Sequence, residues 1–266
     1  MKVAIIGAGN MGGALARGLA RGSMIPTDQI VVSNPSKPKL EALKSEFPEI
    51  QVTTDNGEAV EAADLVVLAV KPWKVEDVLR EITPRMDYTR QAVASLVGGL
   101  GIAQLSQWLD DGRGVLPSTY LIIPNTAIAT GSSMTFLTSV RSTAPQDEFL
   151  LGVFNELGAA MWVEEGLIPA GTSLASCGIA FALRYIRAAR EGGVELGFRP
   201  EEAKQIVMQT LRGAVDILSA TGAHPEAEID RVTTPGGLTI RGLNAMEEAG
   251  FTSSVIAGLR ASIKRD

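Results

Sequence analysis

The sequence predicts two domains: a doubly wound α/β domain of the Rossmann-like type over residues 1–163, and an all-α domain over residues 164–266. Three observations predict this division. Short apolar runs alternate with helix-like segments through the first half. A glycine-rich turn begins at Gly7, directly after the first of these runs. After Gly166, no segment has a convincing strand pattern, and the remaining residues predict helices.

The apolar runs of the first half predict β-strands, because they are rich in β-branched residues and lack polar alternation. Such runs are typical of a parallel sheet that is covered on both faces by helices. The predicted strands are residues 3–6, 30–32, 52–53, 64–70, 92–97, 120–123 and 133–137. Helices are predicted between them over residues 11–21, 37–47, 57–62 and 74–82. This alternation predicts one doubly wound sheet.

The second half predicts helices over residues 173–190, 200–219, 239–249 and 253–264. The segment 199–202 (RPEE) is typical of a helix start, with proline early and acidic residues in the first turn. A bundle of about a hundred residues with such apolar helices usually needs a partner surface. Arg184, Arg187 and Arg190 fit a solvated helix face better than an anion site.

The composition argues against several classes of protein. The 24 Lys and Arg oppose 30 Asp and Glu, and no basic block indicates a nucleic-acid or membrane surface. The single cysteine and the single histidine, His224, supply no ligand set for a metal, and we expect His224 to cap a helix end. Glycines interrupt the apolar N-terminal segment, so no signal peptide is expected. The uncharged residues 114–140 predict two strands and a loop, so we expect no transmembrane helix and a soluble, cytoplasmic protein.

The glycine-rich turn has the spacing of a dinucleotide-binding motif and lies between a predicted strand and a predicted helix. The first glycine permits the tight turn, the second lets the backbone approach a pyrophosphate, and the third allows the helix and strand to pack closely. The N-terminus of the helix faces the negative charge. The predicted pyrophosphate site consists of Gly7, Ala8, Gly9, Asn10, Met11 and Gly12.

The end of the second predicted strand bears on the choice between NAD and NADP. Proteins that choose NAD commonly place a carboxylate there, to bind the ribose hydroxyls. Here the strand ends in Ser33-Asn34, and Lys37 and Lys39 follow. No carboxylate repels a 2′-phosphate, so the sequence favours NADP, with NADPH preferred over NADH. The alternative is that both lysines only begin a solvated helix.

Two further loops follow strands at the edge where ligands of such sheets bind. Their sequences are AVKP (residues 69–72) and IPNT (residues 123–126), and each proline favours an extended turn whose backbone faces the nicotinamide half of the cofactor. Lys71 is either a catalytic lysine or part of a loop that supports the cofactor through its backbone. The cofactor residues predicted outside the glycine turn are Ser33, Asn34, Asn56, Ala69, Val70, Lys71, Pro72 and Asn125.

A second glycine turn, Thr234-Pro235-Gly236-Gly237-Leu238-Thr239, opens a predicted helix in the second half. Two glycines before a helix expose several backbone N–H groups, which together can receive a carboxylate. An N-capped loop between two helices explains the same residues equally well.

The whole chain resembles the pyrroline-5-carboxylate reductase family. The resemblance rests on GAGNMG at residues 7–12, AVKP at 69–72, PNT at 124–126 and, above all, HPEAEIDRVTTPGGLTIRGLNAMEEAGF at 224–251. It implies reduction of 1-pyrroline-5-carboxylate to L-proline with NADPH or NADH, the last step of proline biosynthesis. It also implies a helical domain that dimerises, sometimes into a larger ring of dimers.

The resemblance suggests that Thr239 donates to, or orients, the ring nitrogen of the cyclic imine. We expect Thr234, Gly236, Gly237 and Leu238 to hold the carboxylate of that substrate. Reduction of such a substrate requires little acid–base catalysis by the protein, because the ring nitrogen can be protonated before it binds.

The chain departs from the family pattern at two places. The family usually has the run SGSGPAY early in the first helix of its second domain, where this chain has ASCGIAF at residues 175–181. The family loop PNTP here reads PNTA, at residues 124–127. Two alternative functions stay open: another NADP-dependent imine or hydroxyacid reductase of the same layout, and a non-catalytic NADP-binding sensor.

Overall fold

The computed structural model describes residues 1–263 of the chain. These residues form two compact units, one consisting of Met1–Ser176 and residue 263, the other of Cys177–Ser262. The first unit therefore takes in the helical residues 165–176. The domain boundary predicted from the sequence lies earlier, at residue 163, because it is set where strands give way to helices. The end of the last predicted helix, at Lys264, lies outside the described residues.

One sheet forms the centre of the first unit and has eight strands, counted over the described residues. In chain order they are β1 (Val3–Ile6), β2 (Ile30–Ser33), β3 (Gln51–Thr53), β4 (Leu65–Leu68), β5 (Ala92–Ser95), β6 (Thr119–Ile123), β7 (Ser133–Val140) and β8 (Gly158–Trp162). Across the sheet their order is β3-β2-β1-β4-β5-β6-β7-β8, and all neighbours are parallel except β6 and β7. The strand order reverses between β1 and β4, where ligands of such sheets bind at the carboxyl ends.

Helices cover both faces of this sheet, as predicted for a doubly wound domain. They are α1 (Asn10–Arg21), α2 (Lys37–Glu46), α3 (Asn56–Glu61), α4 (Val75–Ile82), α5 (Ile102–Leu109), α6 (Ala144–Glu156) and α7 (Ile168–Gly171). Ile5 of β1 packs in one apolar core with Leu15 of α1, whereas the next residue, Ile6, packs in a second core with Leu79 of α4. Both faces of each central strand are thus buried, which explains the continuous apolar runs.

Every predicted strand is confirmed, and residues 114–140 contain β6 and β7, joined through a 3-10 helix at Thr126–Thr130. The prediction misses β8, α5 and α6. The strand β8 is an edge strand whose residues alternate between half-buried and exposed, and its sequence, GAAMW, has no β-branched residue. The apolar-run criterion therefore cannot detect it.

The second unit contains helices α8 (Gly178–Glu195), α9 (Pro200–Thr221), α10 (Pro225–Arg231), α11 (Leu238–Glu248) and α12 (Phe251–Ala261). The predicted helices are confirmed, except that the first of them begins as a π-helix over Thr172–Cys177. The prediction does not include α10. Its N-cap is His224, whose Nδ1 accepts from the Glu226 N–H at 3.2 Å, so the capping role expected for His224 is confirmed.

The second unit contains almost no fully buried side chain. Among residues 177–262, Ala203 is the one buried side chain, at 1% exposure, and it lies where α8 and α9 approach each other at Gly193. Tyr185 of α8 and Phe251 of α12 meet edge to face at 6.5 Å. Large apolar side chains remain exposed on several helices: Leu183, Ile206, Val215, Ile217, Val255 and Ile256.

Within the described chain, one helical stretch, Glu165–Glu195, is long and apolar enough to cross a membrane by length and composition alone. The expectation of no transmembrane helix considered residues 114–140 and not this stretch. Only 17% of its most apolar window is buried. The core helix of a soluble protein passes the same length and composition test, so this feature alone is weak evidence for a membrane.

The carboxylate of Glu156, at the end of α6, holds the turn that follows α1. It accepts hydrogen bonds from the Ser23 hydroxyl and the Ser23 N–H, both at 2.5 Å, and from the Met24 N–H at 3.1 Å. The Ser23 hydroxyl bond is the largest cause that lowers the pKa of Glu156 below its ordinary value of 4.5. A lowered folded-state pKa stabilises the protein above that ordinary value, and the stabilisation is lost as the pH falls through the folded-state pKa.

We therefore expect Glu156→Gln to lower the free energy of unfolding at pH 7 by about 1 kcal/mol or less, because solvent screens the exposed carboxylate. The difference from wild type should shrink as the pH falls below 4.5, where the wild-type carboxylate becomes protonated. Urea unfolding at several pH values measures this. Glu148→Gln, an exposed residue of the same helix, is the control. A stability difference that does not change with pH would contradict the assignment.

Candidate active site

The glycine turn lies at the carboxyl end of β1, where the strand order reverses. Gly7 has a φ of +111°, and its N–H donates to the Ser33 carbonyl of β2 at 2.8 Å. A Cβ on Gly7 would lie 2.7 Å from the Ala69 carbonyl oxygen, and one on Gly12 would lie 1.9 Å from the Gly7 oxygen. A Cβ on Gly9 would meet no atom within 4 Å. The fold itself therefore requires Gly7 and Gly12, whereas the space beside Gly9 is open.

The N-terminus of α1 faces this open space without a side-chain cap. Its N-cap is Gly9, no side chain caps this helix, and no acidic residue lies in the first turn. The unpaired N–H groups and the helix dipole suit a phosphate there. Asn10 is exposed, and Met11 packs its half-buried side chain against the core below.

The structure brings the residues predicted at the end of β2 together, but it uses their polar groups to build the loop. Ser33 is 0% exposed, and its hydroxyl donates to Asn56 Oδ1 at 2.7 Å. Asn34 Oδ1 accepts from the Ala8 N–H at 3.0 Å, and its Nδ2 donates to the Ser36 carbonyl at 3.3 Å. These side chains thus support the glycine turn. Direct recognition of a ribose phosphate by Ser33 stays a prediction, and it would require the hydroxyl to leave Asn56.

Two further groups near this edge bear on cofactor choice. The Asn56 amide, whose oxygen accepts from Ser33, is also fixed through its nitrogen, since Nδ2 donates to Glu81 Oε2 at 2.9 Å. Lys37 and Lys39 are exposed and have no ion pair within residues 1–263. Positive charge is therefore available at the start of α2, close in sequence to the end of β2.

The AVKP loop forms the extended turn that its proline predicts. The Ala69 N–H donates to the Ile6 carbonyl at 2.9 Å, which ties the loop to β1. Lys71 has extended backbone angles and directly precedes a 3-10 helix, Pro72–Lys74. The Lys71 ammonium bonds to no other residue of the described chain. Trp73, which the sequence analysis did not single out, is 74% exposed beside this loop. Its position directly after a predicted strand loop is the signal that could have identified it.

The loop after β6 holds Asn125 in a buried position, at 5% exposure. Its Oδ1 accepts from the Ala127 N–H at 3.0 Å, and its Nδ2 donates to the Ala175 carbonyl at 3.4 Å. The Asn125 side chain therefore fixes the loop.

A third loop, which is not among the cofactor loops predicted from the sequence, follows β5. Gly98 and Gly99 lie there with no atom within 4 Å of an added Cβ, which leaves open space beside the backbone. The next helix, α5, begins where the Glu165 carboxylate accepts from the Ile102 N–H at 2.7 Å. Glycines directly after an apolar strand are the signal that could have identified this loop.

In the second unit, the turn before α11 exposes its backbone. The N-cap of α11 is Gly237, and no side chain caps this helix, so the loop between the two helices lacks a side-chain cap. Gly236 has a φ of +70°, and the Gly237 N–H donates to the Thr234 carbonyl at 2.9 Å. Leu238 is 85% exposed, and the exposed Thr239 hydroxyl bonds to no other residue of the described chain. Five predicted residues thus lie together at an uncapped helix N-terminus.

Comparison with known proteins covers both units. A family model described as "NADP oxidoreductase coenzyme F420-dependent" matches residues 2–98, and one described as "Pyrroline-5-carboxylate reductase dimerisation" matches residues 165–266. Pyrroline-5-carboxylate reductase 2 of Dictyostelium discoideum is 35% identical over 280 residues, which cover 99% of this chain and 91% of that protein. The chain belongs to the pyrroline-5-carboxylate reductase family.

Two further members of this family bear on the length and the fold of the chain. Pyrroline-5-carboxylate reductase 1 of D. discoideum is 38% identical over 273 residues, which are 98% of this chain and 48% of that protein, so the chain spans about half the length of this relative. The crystal structure of Plasmodium falciparum pyrroline carboxylate reductase with NADP bound superposes with a TM-score of 0.89 at 25% identity. It covers 99% of this chain and 95% of that one. The predicted Rossmann-like domain followed by a helical domain is thereby confirmed.

The different surroundings of Gly9 and Gly12 predict different outcomes for the same substitution. Gly9→Ala should cost less than about 1 kcal/mol of stability, since its Cβ meets open space, yet it should weaken NADPH binding at least tenfold. Gly12→Ala should cost about 3 kcal/mol, because its Cβ collides with the backbone of Gly7. Thermal unfolding and a fluorescence titration with NADPH measure both effects. Unchanged NADPH affinity in Gly9→Ala would show that nothing binds beside this residue.

Proposed function

We propose that this chain reduces 1-pyrroline-5-carboxylate to L-proline by hydride transfer from a nicotinamide cofactor, the last step of proline biosynthesis. The observation that carries the proposal is the similarity to named pyrroline-5-carboxylate reductases over 98% or more of the chain, which includes the loops of both units. The open space beside Gly9 and the uncapped turn at Gly237 support it, since a nucleotide and a carboxylate need such sites.

The glycine turn fits a dinucleotide, because it combines open space beside Gly9 with an uncapped helix N-terminus. Residues 7–12 would hold the pyrophosphate, and the loops at residues 69–72 and 123–126 would support the nicotinamide through their backbones. When bound, the cofactor supplies the hydride. NADPH is preferred over NADH in this proposal, because the end of β2 carries no carboxylate and the exposed Lys37 and Lys39 offer positive charge to a 2′-phosphate.

The turn before α11 would receive the substrate. Backbone N–H groups of Gly236 and Leu238, with the Thr234 hydroxyl, hold the carboxylate at the positive end of the helix. Gly237 shapes the turn, because its own N–H donates to the Thr234 carbonyl at 2.9 Å. The Thr239 hydroxyl donates to the ring nitrogen of an unprotonated imine, or orients a protonated ring nitrogen by accepting from its N–H. An imine nitrogen that arrives protonated needs no general acid, which agrees with a chain whose single histidine caps a helix. The protein then acts mainly by positioning the reactants and excluding water.

A second copy of this chain would cover the exposed helices of the second unit. The match to a dimerisation model and the nearly complete absence of buried residues among residues 177–262 support a homodimer. The apolar stretch Glu165–Glu195 lies within the residues that this model matches, which favours a protein interface over a membrane span. A larger ring of dimers and a cytoplasmic location remain part of the proposal.

The decisive experiment follows NADPH absorbance after addition of 1-pyrroline-5-carboxylate, with NADH in a parallel reaction. Oxidation that depends on substrate, faster with NADPH, is the expected result. Faster oxidation of NADH would overturn the cofactor preference alone. Binding of NADPH without oxidation would favour the non-catalytic sensor, and turnover confined to other imines or to hydroxyacids would favour the other alternative.

Thr239→Ala should lower kcat by about 10²-fold, because it removes the one side-chain hydroxyl proposed to bond to the ring nitrogen, and it should leave NADPH affinity within twofold. Thr233→Ala is the matched control, since the Thr233 hydroxyl bonds back to the Ile229 carbonyl of the preceding helix, α10, at 2.7 Å. Steady-state kinetics and NADPH titration measure the two variants. Full activity of Thr239→Ala would remove Thr239 from the mechanism.

Val215→Asp should shift the protein from dimer to monomer and abolish turnover, because the charge would lie on an exposed apolar face of α9. Sedimentation velocity at micromolar concentration should show the dimer weakened more than tenfold. Val115→Asp, at an exposed valine of the first unit, should leave the dimer intact. If Val215→Asp sediments as wild type, this face of α9 does not lie in the interface.

A further inference from the structure

The helical segment that follows the sheet contains a π-helix at Thr172–Cys177, between α7 and α8. In a π-helix each backbone hydrogen bond joins residues five positions apart, instead of four as in an α-helix. Such segments are rare and are frequently found at functional sites. This one begins beside a rigid support, because Ile168 is buried in a small apolar core with Ile123 and Phe136, and Ala175 packs against that core.

Two adjacent residues of the π-helix bind two adjacent residues of the loop after β6. The Ser176 hydroxyl donates to the Pro124 carbonyl at 3.0 Å, and Asn125 Nδ2 donates to the Ala175 carbonyl at 3.4 Å. The two segments in which the chain departs from the family pattern, residues 175–181 and 124–127, are thus in contact, through Pro124 and Asn125 on the side of the loop. Both bonds lie within the first unit.

These bonds add to others that already hold the Asn125 part of the loop. Asn125 Oδ1 accepts from Ala127, and the Ser133 hydroxyl lies 3.1 Å from the Asn125 backbone nitrogen. The Pro124 carbonyl is therefore held from outside the loop, by the hydroxyl of a residue 52 positions away. Removing that hydroxyl would release one end of the loop while leaving its internal bonds intact.

We propose that Ser176 is a positioning residue for hydride transfer: with the Ala175 carbonyl, it fixes residues 124–127 and so the nicotinamide half of the cofactor. This role rests on the proposed function. A displacement of about 1 Å between reacting groups can cost up to about 10²-fold in rate. The role should therefore appear in the hydride-transfer step and not in the affinity for NADPH, which the glycine turn provides.

The test compares Ser176→Ala with Thr172→Ala. Thr172 lies in the same π-helix, and its hydroxyl bonds to the Ile168 carbonyl at 2.7 Å, so this control also loses one helix-to-backbone bond but keeps the loop contact. Single-turnover oxidation of NADPH, and of NADPH deuterated at the transferred position, measures the hydride-transfer rate and its isotope effect. Ser176→Thr restores a hydroxyl and separates its loss from a folding defect.

Ser176→Ala should transfer hydride about tenfold more slowly, with a changed intrinsic isotope effect and an NADPH affinity within twofold of wild type. Ser176→Thr should recover most of the rate, and Thr172→Ala should behave as wild type. If Ser176→Ala matches Thr172→Ala in both rate and isotope effect, the positioning role is wrong while the proposed function stands. If the wild-type protein oxidises no NADPH with 1-pyrroline-5-carboxylate, the proposed function fails, and this role fails with it.

Discussion

The close approach of three backbone segments at the carboxyl end of β1 is the constraint on which the first unit depends. Gly12 of α1 lies against the Gly7 carbonyl, and Gly7 in turn lies against the carbonyl of Ala69. Any side chain at Gly7 or Gly12 would separate the helix from the sheet, because the obstacle in each case is backbone. Since α1 is seated this closely, its N-terminus comes directly to the switch point of the sheet, where the dipole favours an anion. Gly9 is different, because no other atom of the protein lies close to the space beside it, which is left open for a ligand.

Polar side chains around this edge mostly hold loops and leave the backbone to face the ligand. Asn34 and Asn125 each bond to main-chain groups on both sides of their amides, and Ser33 is buried against Asn56. An amide is suited to this task, because it both donates and accepts. The second unit likewise leaves backbone groups to face a ligand, because the turn at Gly236 and Gly237 has no side-chain cap. A family that recognises phosphates and a carboxylate needs fixed backbone dipoles more than it needs charged side chains.

The second unit is organised around surface that it does not bury itself. Its helices carry apolar side chains, such as Leu183 and Val215, on faces that are exposed in one chain, and Ala203 alone among residues 177–262 is buried. A bundle of about a hundred residues with so little interior depends on another surface for its stability. The turn that we propose as the substrate site belongs to this unit. Folding of the helical unit, assembly and catalysis are therefore linked in the proposed function, since this turn lies in a unit that depends on a partner for its core.

The sequence by itself determined the alternation of strands and helices, the change at Gly166, and the glycine turns, because burial on both faces and tight turns constrain residue types locally. It did not determine β8, an edge strand whose half-exposed residues carry no such constraint. Only the tertiary structure decided which polar groups are free, since the bonds of Ser33 to Asn56 and of Ser176 to Pro124 join residues 23 and 52 positions apart. It also decided that Gly9 stands in open space while Gly12 does not, because that difference depends on neighbours brought together by the fold. Periodicity records which faces are buried, whereas the partners of individual polar atoms depend on distant segments of the chain.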